Sequence, residues 1–288
     1  MIVKVASCCY RIRPIRSLNE FKGRVLEKVA LASSQGADFL LLPELHSSEL
    51  AYLDARATFP DSWRSTTAYF DEIDDLLASA SREHDIHIVG GSYLRRDARS
   101  GGEERIYNTA TLYAPSGERK RYDKVHLFPL EVNAGISDSR RVPLFTTRFG
   151  PVGVQICFDI QFPFPTCALV KSGAEIIFCP AFTLGEAGFL RVRRCAQARA
   201  IENDCYVVVS HTLGADPTLG APEEGFGRAA VLGPCDRSFS RDGILAQGEV
   251  NSEDLVVAAL DLQRLRHFRE TAESSHHGKG KECTYDIT

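Results

Sequence analysis

An α/β fold is predicted by three features of this sequence. Short apolar runs rich in β-branched and aromatic residues alternate with longer amphipathic stretches. The same alternation continues through both halves of the chain, and no Pro-, Gly- or Ser-rich linker divides them. At 288 residues the chain could form one large α/β domain or two ordinary ones. The missing linker favours a single domain over residues 1–270, followed by a polar tail over 271–288.

In order along the chain, Ile2 to Cys9 reads as the first strand and Asn19 to Gln35 as an amphipathic helix. Phe39 to Leu42 is a short apolar strand, Thr67 to His84 carries a helical pattern, and Ile86 to Gly90 is the next strand. Tyr107 to Tyr113 and Lys120 to Asp123 form a hairpin, because Ala114-Pro115-Ser116-Gly117 between them supplies turn residues where the chain must reverse. In the second half, strands are expected at Val152 to Ile156, Glu175 to Cys179, Tyr206 to Ser210 and Leu255 to Leu260, with helices near Phe164 to Ser172 and Gly188 to Asn203. Glu273 to Lys281 is rich in Gly, His, Ser and Lys and reads as a mobile or partner-dependent arm.

A hydrophobic fraction of 44% gives a globular protein with a large core. The formal charge of -4 and a pI near 6.1 argue against a nucleic-acid or anionic-membrane surface, which needs a basic face, and favour a small-molecule partner. No apolar run approaches the roughly 18 residues that span a bilayer. The nine cysteines are odd in number and scattered, and the N-terminus is strand-like, so reduced thiols in a cytoplasmic protein are expected.

Three segments place reactive side chains at strand ends, the open rim where α/β proteins bind ligands. Gly153-Val-Gln-Ile-Cys157-Phe-Asp-Ile-Gln-Phe-Pro163 is a buried-type strand that stops at a cysteine and turns into a helix. A cation and a helix start near Cys157 would lower its thiol pKa and favour the nucleophilic thiolate. Taken singly, a free cysteine is more often a small buried hydrophobe. In Phe39-Leu-Leu-Leu-Pro43-Glu44-Leu-His46, Glu44 follows an apolar strand, so partial desolvation would raise its pKa toward the range of a general base. A helix cap or a partner for an arginine is the alternative. Lys124, in Arg121-Tyr-Asp-Lys124-Val-His-Leu-Phe-Pro129, precedes an apolar strip and suits stabilisation of negative charge on a carbonyl oxygen. A solvated lysine is the alternative there. Glu131 reads either as a second acid in the same pocket or as an ordinary loop acid.

Taken in this order, Leu-Pro-Glu44-Leu, Tyr-Asp-Lys124-Val-His-Leu-Phe-Pro and Gly-Val-Gln-Ile-Cys157-Phe-Asp-Ile-Gln-Phe-Pro resemble the three signature segments of the nitrilase superfamily of carbon-nitrogen hydrolases. The likeness continues through Cys195-Ala-Gln-Ala-Arg199-Ala-Ile-Glu202-Asn203-Asp-Cys-Tyr206-Val-Val and covers roughly residues 1 to 265. It implies a four-layer αββα sandwich that pairs into homodimers or higher homo-oligomers. It also implies a Glu-Lys-Cys triad with Cys157 as nucleophile, Glu44 as general base, and Lys124 stabilising the oxyanion with the Phe158 backbone N–H. Glu131 matches the family's second glutamate. The resemblance implies no metal or organic cofactor. Phe158 stands where many members carry Tyr or Trp, which keeps the aromatic wall and removes a polar handle. Phe182 and Thr183, after the next strand, are expected to line the substrate pocket.

Other chemistries fit less well. Gly225-Phe-Gly227 lacks the Lys-Ser/Thr and helix-opening glycines of a phosphate loop. His276-His277 and Cys8-Cys9 lack two further ligands at metal spacing, and neighbours on a strand face opposite sides. Neither His126 nor His211 has the context of a base for a cysteine protease or thioesterase. Among carbon-nitrogen hydrolases, a small-molecule amide is the favoured substrate, with an N-carbamoyl amide or a nitrile as alternatives. A catalytically idle binding scaffold is the reading from another class, opposed by three filled triad positions.

Overall fold

The chain builds two β-sheets that pack face to face and carry helices on their outer sides. The structure is a computed structural model, and it describes residues 1–54, 58–98, 104–216 and 224–277. The first half contributes β1 (Ile2–Cys8), β2 (Tyr10–Arg11), α1 (Leu18–Ser34), β3 (Phe39–Leu41), α2 (Asp61–Ser65), α3 (Phe70–Glu83), β4 (His87–Val89), β5 (Tyr93–Ala98), β6 (Glu104–Tyr113) and β7 (Arg119–Asp123). The second half contributes α4 (Pro129–Asn133), β8 (Phe145–Thr147), β9 (Gly150–Val154), α5 (Pro163–Lys171), β10 (Ile176–Phe182), α6 (Gly185–Glu202), β11 (Tyr206–Leu213), β12 (Ala230–Leu232), β13 (Ile244–Gln247), β14 (Leu255–Asp261) and α7 (Leu262–Thr271).

One sheet runs β14-β1-β3-β4-β6-β5 with β7 beside β6; the other runs β13-β12-β11-β10-β9-β8 with β2 beside β11. Strand alternation sorts the side chains of the first sheet between two cores. Val3, Val5, Phe39, Leu41 and Val89 face inward against Val152, Val154, Phe178 and Val207 of the second sheet. Ala6, Cys8, Leu40, Leu42 and Ile88 face outward onto Phe21, Val25 and Val29 of α1 and Ile73 and Leu77 of α3. Cys8 and Cys9 therefore belong to different cores, and no disulfide joins the described cysteines. On the other side, Leu169 and Val170 of α5 and Val192, Ala196 and Ala200 of α6 close the second sheet. The result is the expected four-layer αββα sandwich.

Local chemistry sets the element ends. Ser17 caps α1 by accepting the Glu20 N–H at 3.2 Å, and the β6–β7 turn closes with Gly117 N–H on the Ala114 carbonyl at 2.8 Å. Strand β10 continues through Phe182, so Phe182 stands at a strand end and not in the loop expected after Cys179. Strand β5 and helix α7 had no expected counterpart. Helix α7 is capped by Asp261, whose carboxylate accepts the Gln263 and Arg264 N–H groups. Beyond it, the buried Asp204 carboxylate accepts the Ser275 hydroxyl and the His276 and His277 N–H groups at 2.7–2.9 Å. The polar segment is thus held against the body as far as His277; residues 278–288 lie outside the described residues. Among the described residues, no helix is long and apolar enough to cross a membrane.

One close approach fixes the end of β3. Gly91 has φ of 76°, and a Cβ there would lie 1.9 Å from the Pro43 carbonyl oxygen. Next to it, the Ser92 carbonyl accepts the Leu45 N–H at 3.0 Å. Gly91→Ala should destabilise the protein by about 3 kcal/mol or more, because neither the positive φ nor the contact tolerates a side chain. Urea unfolding measures this, and a variant as stable as wild type would show that the backbone here yields freely.

Candidate active site

Glu44, Lys124 and Cys157 come from different strand ends and meet where the two sheets approach each other. Glu44 follows β3 and Lys124 follows β7, both in the first sheet; Cys157 follows β9 in the second. Each is buried, with Lys124 1%, Glu44 2% and Cys157 7% exposed, and Glu131 joins them at 3%. All four line one cavity of about 170 Å³, together with Phe158, Phe182 and Thr183.

The charged groups form one network. Lys124 Nζ donates to Glu44 Oε1 at 2.7 Å and to Glu131 Oε2 at 2.6 Å. Asn108, in the middle of β6, bridges the same two carboxylates through Nδ2, at 3.0 Å to Glu44 Oε1 and 2.7 Å to Glu131 Oε1. Glu131 sits in α4, not in a loop, and its Oε2 also accepts the Phe128 N–H at 2.8 Å. Pro129 opens that helix, a position where the missing N–H costs nothing. The remaining Glu44 oxygen, Oε2, accepts the Phe182 N–H at 2.7 Å, a bond from the second sheet to the first. The Thr212 hydroxyl makes another, to the Glu44 carbonyl.

Cys157 begins a single 3-10 turn over Cys157–Gln161, with φ of 45°. A non-glycine residue rarely adopts this left-handed conformation, and at a site lined with reactive groups it marks a constrained elbow. The thiol donates to the Phe182 carbonyl at 3.6 Å and is in hydrogen-bonding reach of the Glu44 carboxylate. The Phe158 N–H lies just ahead of the turn's first hydrogen bond, Asp159 N–H to the Ile156 carbonyl at 2.9 Å.

Burial governs the protonation states. Desolvation pushes the Glu44 carboxyl above the ordinary 4.5, against the opposing pull of Lys124. The Lys124 ammonium is raised well above 10.5: burial opposes the charge, but Glu131 and Glu44 outweigh it. The Cys157 thiol is raised well above 9.0, first by burial and then by the charge of Glu44, with Lys124 only partly offsetting them. This corrects the expectation of a lowered thiol pKa. The cation is present, but its field is largely spent on two carboxylates, and the thiol rests protonated beside the Glu44 carboxylate.

Phe182 takes part mainly through its backbone, while its ring packs with Leu45, Trp63, Leu94, Ala134 and Ile136. Thr183 faces the cavity, but its hydroxyl donates to the Phe226 carbonyl at 2.7 Å. Phe158 packs edge-on against Phe128 and Phe162. His126 is bound through Nδ1 to Asp159 Oδ1 at 3.0 Å and stacks on Phe162, while His211 is buried in β11. Among the described residues no group of three or more metal-ligating side chains occurs.

Sequence reasoning missed Asn108, Asp159 and Arg191. Asn108 carried a readable signal, a carboxamide inside an otherwise strand-forming run. Asp159 is fully buried; it accepts the Tyr122 hydroxyl, the Ile156 N–H and the His126 N–H at 2.7–3.1 Å, tying the Lys124 segment to the Cys157 turn. Arg191, on α6, lines the cavity with no distinguishing sequence context.

Two facing sheets with helices outside them, and reactive side chains converging from the strand ends, define an α/β sandwich protein with an enzyme-like site. The chain belongs to the nitrilase superfamily of carbon-nitrogen hydrolases, whose carbon-nitrogen hydrolase family model matches residues 4–270. It is 33% identical over 270 residues to the probable hydrolase YhcX of Bacillus subtilis (strain 168); the alignment covers 93% of this chain and 52% of that one, so the chain spans about half the length of that relative. It is 29% identical over 262 residues to the deaminated glutathione amidase of Synechocystis sp. (strain PCC 6803 / GT-S), covering 87% and 89% of the two chains. The crystal structure of Saccharomyces cerevisiae Nit3, a member of branch 10 of the nitrilase superfamily, matches in fold with a TM-score of 0.76 at 22% identity over 94% of each chain.

The charge balance at Cys157 yields a signed prediction. Glu44→Gln removes the negative charge that raises the thiol pKa and leaves Lys124, which lowers it. The pH midpoint of Cys157 alkylation by iodoacetamide should therefore fall relative to wild type, and an unchanged or higher midpoint would contradict this electrostatic account.

Proposed function

We propose that this protein hydrolyses the carbon-nitrogen bond of a small-molecule amide through a thioester on Cys157. The observation that carries the reading is the buried Cys157 thiol within hydrogen-bonding reach of the buried Glu44 carboxylate, beside the Lys124 ammonium, which has a donor to spare. As the Cys157 sulfur attacks the amide carbon, its proton passes to Glu44, whose raised pKa suits it to receive one. The carbon-oxygen π pair moves to oxygen. Lys124 uses two of its three N–H donors on Glu44 and Glu131, so the third, with the Phe158 N–H, serves the oxyanion. Glu44 then gives its proton to the departing nitrogen, and ammonia or an amine leaves as the thioester forms. Water, deprotonated by Glu44, attacks the thioester; the acid departs and the thiol regains its proton. Glu131 and Asn108 act as positioning residues for Lys124 and Glu44. No step calls for a metal or organic cofactor.

The amide reading also draws support from relatives whose names include a deaminated glutathione amidase and omega-amidases. Carbamoyl and nitrile substrates share the nucleophilic step and differ in what the pocket admits. The superfamily resemblance further suggests assembly into homodimers, and Phe164 on α5, 82% exposed, is an apolar group such a contact would cover.

Ammonia release from a panel of small amides, carbamoyl amino acids and nitriles is the test. Wild type should act on amides, and Cys157→Ala should lose at least about a thousandfold while keeping its fold by circular dichroism. An active Cys157→Ala protein would end the thioester mechanism, and release from nitriles or carbamoyl compounds alone would reassign the substrate.

The same site predicts a pH profile. Glu44 must be ionised to accept the thiol proton, and its pKa lies above the usual 4.5, so kcat/KM should climb with pH over a limb above the ordinary carboxylate range. Lys124, raised above 10.5, contributes no fall near neutrality. Steady-state rates between pH 4 and 10 check this, and a limb centred at or below the ordinary glutamate value would exclude Glu44 as the titrating base.

A further inference from the structure

Arg193 is a buried cation without a counter-charge. It lies on the buried face of α6, 8% exposed, and its hydrogen-bond partner is neutral: Nη1 donates to Gln197 Oε1 at 3.0 Å. Arg228 stands close by. The antiparallel pairing of β11 and β12 sets Val209 against Ala230, which brings Arg228 opposite His211, and His211 Nδ1 donates to the Arg228 carbonyl at 3.0 Å. Helix α6 packs over this strand pair, with Phe189, one turn before Arg193, edge-on to the His211 ring. Burial and the nearby Arg228 charge lower the Arg193 pKa to about 10. Arg228 is itself half-buried, and its Nε is fully enclosed with no hydrogen-bond partner. Among the described residues neither arginine makes an ion pair. Asp242, the acid whose charge reaches Arg193, is exposed and engages its carboxylate with the Ser240 hydroxyl at 2.6 Å and the Ile244 N–H at 3.0 Å. His211 adds no charge, because burial lowers its pKa to about 4. Other buried cations are matched: Lys124 by two carboxylates, and Arg199 by Glu202 and the Ile160 and Gln161 carbonyls.

We propose that Arg193 and Arg228 form a binding site for a dianionic tetrahedral oxyanion of the phosphate class, seated between α6 and the β11–β12 pair. Buried charge without a partner is costly and rare, so two neighbouring guanidinium groups with no acid between them call for an anion. A single carboxylate would leave one cation unmatched, whereas a dianion balances both. Each guanidinium presents a planar fork of N–H donors that fits phosphate oxygens, and Arg193 gives only one of its donors to Gln197. Arg228 and Gln197 are only half-buried, so a small ion can enter from solvent. Neither arginine lines the cavity of Cys157, and this site is separate from it.

The test is phosphate binding to the full chain at fixed ionic strength, read by calorimetry and thermal unfolding. Wild type should bind sodium phosphate at a single site per chain, and its Tm should rise by about 5 °C at roughly a hundred times Kd. Arg228→Gln should weaken binding by about tenfold or more, with Arg228→Lys retaining part of the affinity. Arg140→Gln, which alters an exposed arginine elsewhere, should leave it unchanged. Sodium acetate should not compete. Glycerol phosphate separates the sources: binding as tight as that of phosphate identifies the phosphoryl group of a larger molecule, and binding of phosphate alone identifies the free ion. Peptide mapping after phenylglyoxal treatment needs no variant, and phosphate should shield Arg228 and not Arg140. Absence of saturable phosphate binding, equal competition by acetate, or an equal loss of affinity in Arg140→Gln would overturn the site. So would an oligomer that Arg228→Gln dissociates while wild type binds no phosphate, since the arginines would then serve an acid of a second copy.

Discussion

Lys124 is held in the interior between two carboxylates, and much of the surrounding architecture serves to keep that ammonium charged and satisfied. Removing an ion of this size from water costs several kcal/mol even after relaxation, and a single partner rarely offsets it. Here Glu44 and Glu131 both approach within 2.7 Å, and Asn108 holds the two acids at a fixed separation. Each acid also takes a backbone N–H, from Phe182 and Phe128 respectively. Because the Phe182 bond crosses from one sheet to the other, satisfying the charge also sets how the sheets meet. Stability and site geometry are in this respect one problem.

The backbone around the network is constrained where it matters. Leu45, directly after Glu44, has φ of 48°, and Cys157 has φ of 45°. Neither residue gains anything locally from a left-handed conformation, so the surroundings must impose it. At Leu45 the imposing contacts are the Ser92 carbonyl and the glycine beside it. At Cys157 they are the cap formed by Asp159 on the Ile156 N–H and the second bond of that carboxylate to His126. The segments carrying the lysine and the cysteine, distant in sequence, therefore share one fully buried aspartate.

Glu44 and Cys157 were legible in the sequence because each follows an apolar run, and Lys124 because it precedes one; singly these signals left alternatives open, and the resemblance of the three segments, in order, to the nitrilase signatures joined them. The strands with continuous apolar runs were legible from the runs themselves. Tyr93 to Ala98 was not, since Arg95, Arg96 and Asp97 break its apolar pattern; Arg95 and Arg96 are satisfied instead by ion pairs with Asp123 and Glu104. Helix α7 escaped because three arginines and a histidine crowd a ten-residue segment whose buried face is only Leu262, Leu265 and Phe268. Asn108 escaped for a different reason: its partners lie 64 and 23 residues away, and only the folded sheet brings them together. The thiol pKa was misjudged because spacing reveals that a cation is near and says nothing of how many anions already claim it.

That misjudgement bears on how such a site could work. A thiolate formed at rest would sit beside Glu44 in a desolvated pocket, two anions competing for one lysine. Keeping the proton on sulfur avoids that state, and keeping the Glu44 pKa high makes the carboxylate a better acceptor when attack begins. In the proposed mechanism, negative charge then develops on the substrate oxygen, while neutralisation of Glu44 by the thiol proton frees part of the field of Lys124 for it. On that mechanism, the same burial that raises the pKa of Glu44 and of the Cys157 thiol keeps the lysine engaged in the resting site and makes more of its charge felt as the transition state forms.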